Sequence, residues 1–160
     1  MASQAQALSL PDCRLAAWQY AWMRVRRTGS FVLAAPLDVV LPLFTAEGER
    51  QWVPGWEPVW ADESHEHEIG DVWTTVDAPS TIWVTVDAGA DHVRYARVAI
   101  GDSAGLVTVT CVQNSGRTRV TVDYDVSALS DAGAERLTHF AAGYDDMLTH
   151  WQHHASRALG

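Results

Sequence analysis

The chain has 160 residues, 48% of them apolar and 19% charged, with a formal charge of −9 and no lysine among its eleven basic residues. That length and composition fit one folded domain and exclude a disordered chain. An acidic balance without a basic stripe argues against nucleic acid and against an anionic membrane surface as partners.

Residues 1–24 differ in character from the rest of the chain. The first ten are small and polar, and Pro11-Asp12 could then open a short helix with Leu15, Trp18 and Trp22 on one face. We read this part as an N-terminal extension that packs weakly or serves a partner, followed by one domain over residues 25–160. Cys13 and Cys111 lie far apart in unlike contexts and read as free thiols. No apolar run reaches the length of a membrane span, and no basic region followed by an apolar one marks a secretory signal. The expected location is the cytoplasm.

A strand over 25–34 ends at Pro36, and residues 36–41 read as a short helix with proline in its first turn. Pro42 interrupts it, and a second short helix covers 43–51. Residues 47–60 come next, with Trp52, Trp56 and Trp60 inside nine positions and two prolines and a glycine among them. That punctuation excludes a long helix or a central strand. Each indole can bury roughly 150–250 Å², so the segment must fold over something apolar, either the core or a ligand cavity.

Alternating β-branched and polar residues then recur at 70–77, 81–88, 91–100, 105–114 and 117–127, separated by Gly/Pro/Asp/Asn turn signals. This spacing predicts an antiparallel meander. From 129 to 159 there is no proline, and the apolar period becomes helical. Ser130-Asp131 forms the cap, and Leu137, Phe140, Ala141, Tyr144, Leu148, Trp151 and Ala155 form one stripe. One long helix of about eight turns is expected. The order predicts an α+β helix-grip fold: a curved antiparallel sheet wrapped around a long C-terminal helix, with two short helices after strand 1.

Strand alternation assigns faces. Val120, Val122, Tyr124 and Val126 point inward, and Thr121, Asp123 and Asp125 outward. A two-residue turn at Ser115-Gly116 sets Cys111, Val109 and Val107 opposite Val120, Val122 and Tyr124. Over 82–95 the more apolar face holds Ile82, Val84, Val86, Val93 and Tyr95, which leaves Trp83 with Thr81, Thr85 and Arg94. Buried tyrosine hydroxyls need partners, so Tyr95, Tyr124 and Tyr144 converging inward fit either a cavity with polar anchors or a core with satisfied tyrosines.

Phe31-Val32-Leu33 with Ala35-Pro36-Leu37-Asp38-Val39-Val40, the stretch 44–58, Tyr95-Ala96-Arg97-Val98, and Tyr124-Asp125-Val126-Ser127-Ala128-Leu129-Ser130-Asp131-Ala132-Gly133 together resemble the START-like, or SRPBCC, superfamily. The likeness covers about residues 26–156 and is nearest to small bacterial members grouped with polyketide cyclases, lipid-transfer proteins and heat-shock-ATPase activators. It implies a deep apolar pocket between sheet and long helix, gated by the short helices. It does not choose an activity, because one scaffold hosts binders, carriers, enzymes and cochaperones.

No nucleophile motif and no phosphate-cradling glycine loop is present, and no cofactor is expected. His150, His153 and His154 have metal-ligand spacing on a helix, but His139, His150 and His153 project opposite the apolar stripe, so they read, like the 65–68 run, as solvated rather than metal-binding. Glu57, beside Trp56 at the expected rim, is the candidate acid–base group; the alternative is a rim carboxylate bound to an arginine. Arg97 shares the Val93–Tyr95 face and could anchor an anionic group or form a surface ion pair.

The first functional reading is binding of an apolar, aromatic or lipid-like small molecule through Trp52, Trp56, Trp83, Tyr95, Tyr124, Phe140, Tyr144 and Trp151. The second is a cyclase- or hydrolase-type enzyme using the same cavity. The third is a cochaperone-like interaction module using residues 1–24, and a homodimer remains an option. Trp52 and Trp56 are the candidate gate, and Trp60 reads as structural.

Overall fold

A computed structural model describes residues 23–61, 68–76 and 79–160. The proposed N-terminal helix, Cys13 and most of the 65–68 run lie outside these residues. Seven strands form one sheet: β1 (Arg24–Leu33), β2 (Val59–Trp60), β3 (Val72–Thr75), β4 (Thr81–Ala88), β5 (His92–Ala99), β6 (Ser103–Asn114) and β7 (Arg117–Ala128). Their order is β1-β7-β6-β5-β4-β3-β2, and every pairing is antiparallel. Two short helices, α1 (Leu37–Val40) and α2 (Ala46–Glu49), follow β1, with a 3-10 turn at Leu41–Phe44 between them. The chain closes with α3 (Asp131–Ala142) and α4 (Tyr144–Ala158). This is the expected α+β helix-grip arrangement.

The β6–β7 hairpin has the register expected from alternation, with Cys111 opposite Val120, Val109 opposite Val122 and Val107 opposite Tyr124. Ser115 and Gly116 both take positive φ (49° and 75°), the twist that a two-residue hairpin turn requires. Val120, Val122 and Val126 are buried as expected. On the outer face, Asp125 pairs with Arg24 and Arg26, and Asp123 accepts from Thr28 Oγ1 at 2.6 Å.

Two expectations are corrected. The terminal helix is broken at Gly143 (φ −92°, ψ 7°), whose N–H returns to His139 O at 3.0 Å. The apolar stripe crosses the break, so helical periodicity does not reveal it. On β4 the faces are reversed: Thr81 and Thr85 are buried, Trp83 lies between them on the same side, and Val86 is exposed. A bulge between Thr85 and Asp87 shifts the register, so an alternation carried from 82 to 95 cannot hold on both strands.

The main core gathers Phe31, Leu33, Val40, Phe44, Trp52, Val120, Val122, Tyr144, Leu148 and Ala155 between sheet and helices. A smaller cluster of Val25, Val126 and Leu137 lies under α3. Gly29 lets α4 approach β1, because a Cβ there would meet Leu148 Cδ1 at 2.3 Å. No helix among the described residues is long and apolar enough to cross a membrane.

Candidate functional site

The tryptophan segment is wound onto its own backbone. Thr45 caps α2 by accepting from Gly48 N at 3.1 Å. The Trp52 indole N–H donates to Leu43 O, that of Trp56 to Ala46 O, and that of Trp60 to Glu47 Oε1, each at 2.7 Å. Arg50 braces the outside, bonding Glu47 at 2.9 Å, Glu57 at 2.6 Å and Pro58 O at 3.0 Å. Gly48 packs so close that a Cβ would stand 1.8 Å from Pro42 O. This pins α2 and sets Ala46, Glu49 and Val53 on one inward stripe.

That stripe forms one wall of a cavity of about 340 Å³ between the sheet and the terminal helices. The sheet contributes Trp73, Thr81, Trp83, Tyr95, Arg97, Val107, Val109, Tyr124 and Val126. The helices contribute Leu137, Phe140 and Trp151, and Trp56 comes from the loop after α2. Aromatic rings meet around it: Trp56 lies 6.0 Å from Trp83, Trp73 stacks on Trp83 at 6.3 Å, and Trp73 meets Tyr95 edge-on at 5.1 Å. Tyr124 packs on Phe140 at 4.8 Å.

Of the eight aromatic residues expected to contact a ligand, Trp56, Trp83, Tyr95, Tyr124, Phe140 and Trp151 line this cavity. Trp52 and Tyr144 stand behind it. Trp52 sits in the core between Phe44 (5.5 Å) and Trp151 (5.3 Å), and Tyr144 donates its hydroxyl to Val122 O at 2.7 Å. Of the gate pair, only Trp56 reaches the cavity.

The polar groups differ more from expectation. Glu57 is 69% exposed in its side chain and bound to Arg50, away from the cavity. Glu49, absent from the candidates named on sequence grounds, lines it, and burial pushes its carboxyl up from 4.5 to about 8. Among the described residues its side chain has no hydrogen bond or ion pair. The spacing of Ala46, Glu49 and Val53 (i, i+3, i+7) was the available signal for its inward facing.

Two donors share that condition. The Trp73 indole N–H is buried without a hydrogen-bond partner among the described residues. The Tyr124 hydroxyl likewise has none, whereas Tyr95 donates to Phe44 O at 3.1 Å. Burial and the neighbouring Glu49 charge raise both the Tyr95 and Tyr124 phenols, and Arg97 opposes the rise at Tyr124. Both hydroxyls therefore stay protonated and lie within electrostatic reach of Glu49.

A satisfied polar cluster sits elsewhere on the lining. Asp102, buried at the β5–β6 turn, binds Arg136 and accepts from Ser103 Oγ at 2.8 Å; Arg97 donates to Ser103 Oγ at 3.0 Å. The Arg97 guanidinium lies 5.8 Å over the Trp83 ring, so it takes a cation–π position in the cavity wall.

His139 and His150 are exposed and bond the backbone carbonyls of Glu135 and Asp146. Among the described residues no group of three or more His, Cys, Asp or Glu could hold a metal ion.

No protein-family model matches the chain, and no curated protein matches it in sequence. Solved structures do match in shape. CalU16 from Micromonospora echinospora aligns with a TM-score of 0.59 at 14% identity over 85% of each chain. Mll3558 from Rhizobium loti aligns at 0.55 and 16% identity, over 82% of this chain and 99% of its own. Norcoclaurine synthase from Thalictrum flavum, in complex with dopamine and hydroxybenzaldehyde, aligns at 0.63 and 10% identity over 98% and 96%. At these identities the likeness is one of architecture: the chain has the helix-grip fold that these structures share.

Proposed function

We propose that this chain binds an apolar aromatic small molecule in the cavity between sheet and terminal helices. One observation carries the reading: seven aromatic side chains surround about 340 Å³ that they do not fill. That volume lies at the lower end of the roughly 300–1,000 Å³ of small-molecule sites. A plain core would close such a space, because interiors are packed to crystal-like density and voids are costly. Trp56, Trp83, Tyr95, Tyr124, Phe140 and Trp151 supply dispersion contacts and flat walls. Trp52 and Tyr144 hold those walls from behind. A norcoclaurine synthase of the same fold in complex with two small aromatic molecules accords with this reading.

The test is a fluorescence titration with N-phenyl-1-naphthylamine, a neutral aromatic probe. Saturable binding of about one equivalent is expected, and Val109→Trp, which plugs the cavity from β6, should abolish it while the circular dichroism spectrum is kept. Binding that is unsaturable, or that survives in both Val109→Trp and Val107→Phe, would contradict the proposal.

A further inference from the structure

Among the described residues, the cavity lining carries four charged side chains, Glu49, Arg97, Asp102 and Arg136, and their pairing is uneven. At the β5–β6 turn the buried Asp102 binds Arg136 from α3 and accepts from Ser103 Oγ at 2.8 Å. Ser103 Oγ in turn accepts from Arg97 Nη1 at 3.0 Å, and this hydroxyl is the one hydrogen-bond partner Arg97 has among the described residues. Arg97 therefore has no carboxylate of its own there. Two guanidiniums, Arg97 and Arg136, against the one carboxylate of Asp102 leave a positive charge in excess, and Arg97 carries it. Burial keeps the Glu49 carboxyl protonated up to about 8, so near neutral pH it does not cancel that charge.

The sheet sets Arg97 beside the aromatic wall. Its cross-strand neighbours are Trp83 on β4 and Gly105 on β6, and Gly105 has no side chain to cover it. The half-buried guanidinium stands 5.8 Å over the Trp83 ring. Trp83 in turn meets Trp56 at 6.0 Å and Tyr95 at 6.3 Å, so flat apolar surface begins where the cation ends. Ser103 takes only Nη1, which leaves the Nε–Nη2 edge with two parallel N–H donors, the fork that grips a planar carboxylate at two points.

We propose that the ligand of this cavity is an aromatic carboxylate, whose carboxylate group is held by Arg97 while its ring lies against Trp83 and Trp56. The inference rests on the cavity-binding reading above and adds the charge of the ligand. A single unpaired guanidinium suits a planar monoanion. A phosphate dianion would call for a second unpaired cation, and Arg136 is already taken up by Asp102. Ser103 Oγ, itself held by Asp102, fixes the guanidinium over Trp83.

The experiment measures displacement of N-phenyl-1-naphthylamine near neutral pH by compounds that share one ring system: 2-naphthoate, the neutral 2-naphthamide and 2-naphthyl phosphate. The wild-type chain should bind the acid about ten- to a hundredfold more tightly than the amide, as expected for a hydrogen-bonded charge pair. The phosphate should bind more weakly than the acid. Arg97→Gln should bring the acid-to-amide ratio to about one, and the ratio cancels any change in the cavity that acts on both compounds alike. Arg97→Lys, which keeps the charge without the fork, should fall between. Equal affinity for acid and amide in wild type, a comparison that needs no variant to fold, would overturn the anchor and leave the binding reading standing. A ratio unchanged in Arg97→Gln would do the same. Tighter binding of the phosphate than of the acid would overturn the carboxylate as the ligand's anionic group. Failure of the fluorescent probe and of all the naphthyl compounds to bind wild type would overturn both readings together.

Discussion

Replacing Glu49 by glutamine should make the chain's stability less dependent on pH, in a direction opposite to that of most carboxylates. The folded chain holds this proton up to about pH 8, whereas an ordinary glutamate releases it near 4.5. Below 4.5 both states are protonated and the residue contributes no pH dependence. Between 4.5 and 8 the folded state binds more protons than the unfolded one, so stability falls as pH rises, and above 8 the penalty is constant. At about 1.36 kcal/mol for each tenfold in proton affinity, that window sets a ceiling near 5 kcal/mol. Glu49 keeps part of its surface in solvent, and screening there brings the expectation to about 2–3 kcal/mol. The amide of glutamine adds a constant offset, so the slope is the quantity to read. Urea unfolding followed by tryptophan fluorescence from about pH 5 to pH 9 should show Glu49→Gln gaining on wild type by that amount as pH rises. A difference that stays flat across the window, or an equal gain in Glu57→Gln, would refute the argument.

The same geometry sets three further outcomes. Tyr144→Phe should cost about 1–2 kcal/mol, since it strands Val122 O, while Tyr124→Phe should cost close to nothing; thermal melts compare them. Gly48→Ala forces a Cβ into Pro42 O, which should destabilise by about 1–3 kcal/mol and weaken probe binding by displacing α2; chemical unfolding and the titration together check both. Cys111 is buried and its thiol is pushed up to about 12, so iodoacetamide at about pH 8 should leave it unmodified until urea is added, as peptide mass spectrometry would show.

The parts of the fold legible in the sequence were those in which charge and period agree. On β7 the aspartates mark the solvent face, so Val120, Val122 and Tyr124 had to face inward, and the hairpin turn then fixed β6. On β4 no charge marks a side until Asp87. Threonine serves either face, because a buried hydroxyl can bond locally, as Thr81 Oγ1 does to Pro79 O at 3.2 Å. Hydrophobicity therefore chose the wrong face, and the bulge concealed the error. Gly143 breaks the terminal helix without interrupting its apolar stripe, so periodicity passed over it.

The cavity's aromatic walls were largely readable, because large rings on strands and on the terminal helix have few other places to go. Its chemistry was not. Glu57 drew attention through its tryptophan and proline neighbours, yet Arg50 holds it at the surface. Glu49 sits on a helix of four residues, where one turn gives little evidence of facing. Only its spacing from Ala46 and Val53, both on the cavity wall, betrays it. The Trp73 indole N–H is buried with no hydrogen-bond partner among the described residues, which no sequence pattern can express.

The central claim is that an aromatic molecule occupies this cavity, and the indole N–H resonances of ¹⁵N-tryptophan-labelled protein test it most directly. On titration with N-phenyl-1-naphthylamine the Trp56, Trp73, Trp83 and Trp151 signals should shift together and saturate at one equivalent, with Trp73 moving in wild type and not in Val109→Trp. Signals of these four that stay in place while the probe binds elsewhere, or that drift without saturation, would contradict the account.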